Sequence, residues 1–317
     1  MIDHRDRGRG AERPTAIPAK GWKDVLYRVK DQIGDDRVTL VAAGVTFYIL
    51  LALIPGLTAL VSVYGLFSDP ESVQSHLERF EGVIPGGGME ILGSQLERIS
   101  GQASSTLGFA FAGSLAISMW SANAGVKAMF EAMNVAYNER ESRGFIKLNL
   151  ITLAFTLAGL VAVIVAMGLL VFLPPVLGSL GFGSMGQAIS RVAGIAILAV
   201  LALAGLAALY RYGPSREEAE WRWITPGAIV TLVVWVIGSV LFTWYAANFG
   251  SYNATYGSLG SLIGFLFWIW ISTNIVIIGA ELNAELEHQT AMDTTEGDPE
   301  PLGERGAHVA DTVGEPR

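Results

Sequence analysis

Residues 145–173 read FIKLNLITLAFTLAGLVAVIVAMGLLVFL, with Lys147 as the one charged side chain in the run. A helix rises about 1.5 Å per residue, so a stretch of this length crosses the ~30 Å hydrocarbon core of a bilayer. Nothing in it offers a polar face to water, and it reads as a membrane-crossing helix.

Working outward, five further stretches have the same character: 38–67, 107–130, 188–210, 224–249 and 259–282. The fold class this predicts is all-α, a polytopic membrane protein with six transmembrane helices across 38–286. The stretch 38–67 is longer than a straight crossing needs and carries Pro55-Gly56 near its middle, which predicts a kink or a tilt. Composition agrees: of 317 residues 51% are hydrophobic and 16% charged, against about 25% charged in a soluble domain. The mean hydropathy is +0.45. The absence of cysteine excludes a disulfide scaffold, a thiol redox enzyme and a thiolate metal site. A net charge of −8 argues against nucleic acid as a partner.

Lysine and arginine set the expected orientation. Of the 21 in the chain, all but Arg79, Arg98 and Arg191 fall in the leader, the turns after the second and fourth spans, and the tail. That places both termini on the cytoplasmic side. No apolar core of a signal peptide precedes residue 38, so the first span is expected to act as the insertion signal. Within the leader (1–37), residues 21–34 put Trp22, Val25, Leu26, Val29 and Ile33 on one helical face. Two readings are open: a helix lying in the membrane interface, or one packed on the bundle. The external loop 68–106 reads as two short amphipathic helices hinged at Pro85-Gly86-Gly87-Gly88, and its acids as a solvated face. Residues 287–317 are rich in Gly, Pro, Glu and Asp, which predicts a disordered acidic tail.

Polar groups at membrane depth are costly, so each is a candidate for function. Asn123, Lys127, Glu131 and Asn134 fall along one helical stripe, with Lys127 and Glu131 spaced to pair. The stripe is either a hydrophilic path for a headgroup or a helix leaving the membrane, with Lys127 snorkelling to phosphates. Arg211 and Arg222 flank the turn after the fourth span, as interfacial anchors or as a basic pocket for an anionic lipid. Asn274 is either helix glue or a substrate contact, and Glu281 either a cation or proton site or the end of its helix. Gly257, Gly260 and Gly264 allow close helix approach. The four histidines form no metal-binding spacing, and HExxH, P-loop and GxSxG motifs are missing, so no metal site, cofactor or catalytic residue is expected.

Several segments together resemble the YihY/BrkB family of bacterial inner-membrane proteins, once named ribonuclease BN. They are Ala42-Ala43-Gly44-Val45-Thr46-Phe47-Tyr48 with Leu53-Ile54-Pro55, then Ala132-Met133-Asn134-Val135-Ala136-Tyr137, then Arg211-Tyr212-Gly213-Pro214. The closing ones are Tyr256-Gly257-Ser258-Leu259-Gly260, Trp268-Ile269-Trp270 and Gly279-Ala280-Glu281-Leu282-Asn283-Ala284. The likeness covers residues 22–287 and implies a six-span inner-membrane fold. It marks Pro55, Pro214, Tyr256, Gly257, Gly260 and Gly279 as structural positions. The family's association with virulence, serum resistance and envelope lipid export implies a role in the cell envelope. The resemblance supplies no catalytic residue, and a ribonuclease activity finds no metal cluster or basic surface to support it.

The function expected is transporter-like handling of an anionic lipid or other envelope amphiphile, with membrane lipids as partners. The alternatives are a non-transporting envelope scaffold or a small-solute or ion permease.

Overall fold

The computed structural model describes residues 4–64, 109–179, 183–249 and 259–316. The loop 68–106 and the motif residues Tyr256 and Gly257 lie outside the described residues.

Among the described residues seven long helices follow in order: α1 (Ala19–Asp35), α2 (Val38–Tyr64), α3 (Phe109–Ala136), α4 (Phe145–Ser179), α5 (Gly183–Tyr212), α6 (Trp221–Phe249) and α7 (Leu259–Glu287). A one-turn helix, α8 (His308–Asp311), closes the chain. Among the described residues the only strand-like feature is an isolated antiparallel bridge between Ala219 and Thr295. Helices α2, α4, α5, α6 and α7 are long and apolar enough to cross a membrane. The expected second span is α3, which has the length of the others but is diluted by Ser118, Ser121, Asn123 and Lys127.

Apolar surface is arranged inside out. Leu40, Leu51, Ile117, Leu150, Val200, Val240 and Leu241 are all more than half exposed along the helices. In water a display of this extent would drive association, whereas in a bilayer it is the lipid-facing surface. The packed core sits instead toward one end of the bundle. There Val38, Ala42 and Val45 of α2 meet Ala132, Met133 and Ala136 of α3, Tyr210 of α5, Ile224 and Ala228 of α6, and Ile277, Ala280 and Ala284 of α7. Small residues set the helix spacing. A Cβ at Gly125 would come within 3.3 Å of Ala52, and one at Gly279 would overlap Thr231 Oγ1 and approach Tyr210 OH at 2.5 Å. Tyr210 OH in turn donates to the Val276 carbonyl at 2.9 Å, tying α5 to α7.

Helix ends follow local chemistry. α3 stops where Asn138 takes a left-handed conformation, φ 54°, with Asn138 N donating to Val135 O and Glu139 N to Asn134 O. This is the hydrogen-bond pattern of a Schellman stop, with asparagine in the position glycine usually fills. α2 runs through Pro55 from its start at Val38, just beyond Arg37 at φ 50°.

One reading left open above is decided by the packing, and one expectation needs correction. The apolar face of α1 is divided: Val25 and Val29 are buried against Trp223, Leu282 and Leu286, while Leu26 and Tyr27 stay exposed. The helix therefore packs on the bundle, with part of its apolar face turned outward. The tail is ordered across 288–316. Arg305 donates to the carbonyls of Ala291, Met292, Glu300 and Ala310, and Ala291 N donates to Arg9 O at 2.8 Å. Low apolar content misled because a single buried guanidinium saturates many backbone carbonyls. Ala307, Val309 and Ala310 are buried, while the larger Met292 and Leu302 stay exposed.

Candidate functional site

Both termini, the α3–α4 connection and the α5–α6 connection converge at the same end of the bundle. Asn134, near the end of α3, accepts from Ser215 N at 2.7 Å through Oδ1 and donates to Glu141 Oε2 at 3.2 Å through Nδ2. Arg143 grips both Glu141 oxygens, at 2.6 and 2.7 Å, and donates to the carbonyls of Tyr212 and Gly213 at 2.9 and 2.8 Å. A cation at that place also meets the negative end of the α5 dipole. Burial raises the Glu141 carboxyl, but the Arg143 guanidinium and backbone N–H, with Asn134, outweigh it and hold it at about 2. Gly213 is required here, since a Cβ would overlap Leu209 O and press on Met133.

Arg216 and Glu287 form a desolvated pair, their side chains 1% and 0% exposed, at 2.7 and 3.2 Å. The guanidinium lies 5.3 Å from the Tyr137 ring centroid, and Thr294 Oγ1 donates to Glu287 at 2.7 Å. Burial lowers the Arg216 guanidinium, and the charge of Glu287 with its hydrogen bonds more than restores it, above the ordinary value.

These groups frame a cleft of about 580 Å³ between the start of α4 and the α5–α6 connection. Its wall on α4 is apolar: Ile151, Ala154 and Phe155. Its floor is polar, with Ser142, Ser215, Arg143, Arg211, Arg216 and Lys147, and the acids Glu217 and Glu218 at the same lining. Three of the four cations are committed to acids within the chain. Lys147 is exposed, and it is the cation of the cleft that no acid neutralises among the described residues.

The structure redistributes the sequence candidates. Lys127 Nζ donates to Asn149 Oδ1 on α4 at 2.6 Å and sits 5.0 Å from the Trp120 ring centroid, rather than pairing with Glu131, which is exposed. Asn123 Oδ1 accepts from Thr156 Oγ1 at 3.2 Å, so it too joins α3 to α4. The stripe is thus inter-helix bonding along most of its length. Arg211 is clamped by Glu218, Glu296 and the Ala219 carbonyl, and lies 4.7 Å from the Trp221 ring centroid. Arg222 is exposed and bonded to Glu220, away from the cleft. Asn274 Nδ2 returns to its own helix at the Trp270 carbonyl, 2.7 Å away. Glu281 is fully buried. Pro214 is buried and Gly260 is buried at the start of α7.

Asn283, present in the closing motif but given no role there, holds α6 to α7 by accepting from Gly227 N at 2.8 Å and donating to Ile224 O at 3.0 Å. Arg143, Arg216 and Lys147 were missed as site residues. For Lys147 the signal was present, as the lone charge in the stretch 145–173. Among the described residues no group of three metal-capable side chains occurs.

A bundle of long apolar helices with outward-facing apolar surface defines a multi-pass membrane protein. Residues 29–302 match the family described as virulence factor BrkB, and the chain belongs to that family. It is similar to the putative ribonuclease-like protein YfkH of Bacillus subtilis, 30% identical over 79% of this chain and 90% of the relative. It is also similar to two UPF0761 membrane proteins. Mpe_A1422 of Methylibium petroleiphilum is 24% identical over 83% of this chain, and RSc1559 of Ralstonia nicotianae 26% identical over 80%. The chain spans 62% and 56% of the length of those two relatives. No solved structure matches it.

Proposed function

We propose that this protein is a transporter-like inner-membrane protein that handles an anionic lipid or envelope amphiphile at the α4–α5–α6 cleft. The observation that carries this reading is the pairing, in one cleft, of an apolar wall on a membrane-crossing helix with a polar floor bearing an unneutralised lysine. An amphiphile has the same division, with acyl chains against Ile151 and Phe155 and an anionic headgroup at Lys147, Ser142 and Ser215. In this reading α3, packed between α2 and α4, makes the sixth crossing. The lysine and arginine distribution supports a cytoplasmic side for the cleft and both termini.

A scaffold that binds partners through its acidic tail is less well supported, because Asp293, Glu296 and Asp311 of the tail are bound within the chain, although Asp298, Glu300 and Glu304 stay exposed. The ribonuclease-like name of the Bacillus relative finds no counterpart in a metal cluster among the described residues. The test is native mass spectrometry of detergent-purified protein, wild type beside Lys147→Glu. The exposed Lys147 has no structural partner, so the variant is expected to fold. Wild type is expected to retain an anionic lipid through detergent exchange, with occupancy falling several-fold in the variant. The same annular lipids in both would sink the proposal.

A further inference from the structure

At the corner where the α1–α2 turn meets α7, two acids face each other. Glu281 is completely buried, and neither of its carboxyl oxygens has a hydrogen-bond donor. Asp36, half-buried in the turn, lies within hydrogen-bonding reach of it, and Asp36 Oδ2 is likewise buried without a donor. The surrounding charges do not relieve the pair. α1 brings Asp35 and Arg28, but Arg28 is bound to Glu285 Oε2, the Glu285 carbonyl and Gln289 Oε1. α7 and its exit bring Glu285 and His288, which lie 3.6 Å apart, and α2 is preceded by Arg37, which is exposed. The tail contributes the Glu315 carbonyl, which accepts from Arg28.

Two ionised carboxylates in contact, out of water and without donors, repel each other and lose their solvation. One proton removes both costs: the protonated carboxyl becomes a donor and the other remains an acceptor. We propose that Asp36 and Glu281 form a proton-binding site in which a single hydrogen is shared between the two carboxyls. Uptake of one proton converts two carboxylates into an acid–carboxylate pair, and release restores them. Asp36, the more exposed partner, is the port through which the proton enters and leaves. Burial pushes the Asp36 carboxyl up, in the direction such sharing requires. The site is separate from the cleft and does not depend on the lipid reading.

The test is infrared titration of the full chain in lipid nanodiscs, comparing wild type, Glu281→Gln and Asp36→Asn. Glutamine keeps the neutral shape of the protonated acid, so Glu281→Gln is expected to fold with unchanged melting temperature at neutral pH. Wild type is expected to show a protonated-carboxyl band at neutral pH that Glu281→Gln loses. In Asp36→Asn the neighbouring negative charge is gone, and the band is expected to titrate away at lower pH than in wild type. No band in wild type, a band that survives Glu281→Gln, or a midpoint unmoved by Asp36→Asn would each overturn the site. A band abolished at neutral pH by sodium would show that the pair holds a metal cation instead. If Glu281→Gln does not fold, the Asp36→Asn midpoint decides alone.

Discussion

Arg216 and Glu287 show how much of the chemistry at this end of the bundle is structural. Each is almost fully withdrawn from water, and each has the other as its counter-charge. Removing one partner of a buried pair leaves an unmatched charge, at a cost of about 3–5 kcal/mol, whereas replacing both by apolar residues of similar volume is often neutral. Glu287→Gln is therefore expected to lower the melting temperature in detergent markedly. Arg216→Met combined with Glu287→Met is expected to recover most of the loss. Equal damage in the single and double variants would contradict this account. In the sequence Arg216 and Glu287 lie far apart, and neither spacing nor composition links them. Asn134, by contrast, stood out on its helix, but its role in holding the Ser215 amide required knowing that the α5–α6 connection returns to it.

The helices themselves were largely legible, because a membrane-crossing segment announces itself through uninterrupted apolar length. Their ends were less so. α4 runs to Ser179 and α5 begins at Gly183, beyond the apolar limits read from composition. α3 was the ambiguous element, since Asn123 and Lys127 bond to α4 rather than face water or a path. The α6–α7 crossing is a close one, where Gly279 meets Thr231 and Gly227 meets Asn283. A side chain at Gly279 must push Thr231 and Tyr210 apart, and overpacking of this kind costs about 1–3 kcal/mol or more. Gly279→Val is expected to reduce the yield of folded, monodisperse protein, and Gly238→Ala, whose added methyl would meet only the flexible end of Ile275, to be milder. Size-exclusion profiles of the two variants check it, and wild-type behaviour of Gly279→Val would show that the crossing is not close-packed.

At the scale of the whole molecule, the surface faces lipid and the organised polar network collects at the end where the termini meet. The ordered tail belongs to that network, and hydropathy could not anticipate it because its order comes from backbone carbonyls around Arg305 and buried small residues. The cleft was only half legible: Arg211 and its turn were singled out, yet the reachable cation is Lys147, contributed by a different helix. Bringing α4 to the α5–α6 connection is a tertiary event, fixed by Arg143 on the Tyr212 and Gly213 carbonyls. The central claim is that this cleft admits an anionic amphiphile for movement across the membrane. Its most direct measurement is lipid translocation in reconstituted vesicles, using phosphatidylglycerol labelled on an acyl chain and a membrane-impermeant quencher. Wild type is expected to move the label faster than protein-free vesicles, and Lys147→Glu several-fold more slowly than wild type. Translocation by wild type at the protein-free rate, or at equal rates in wild type and Lys147→Glu, would contradict the account.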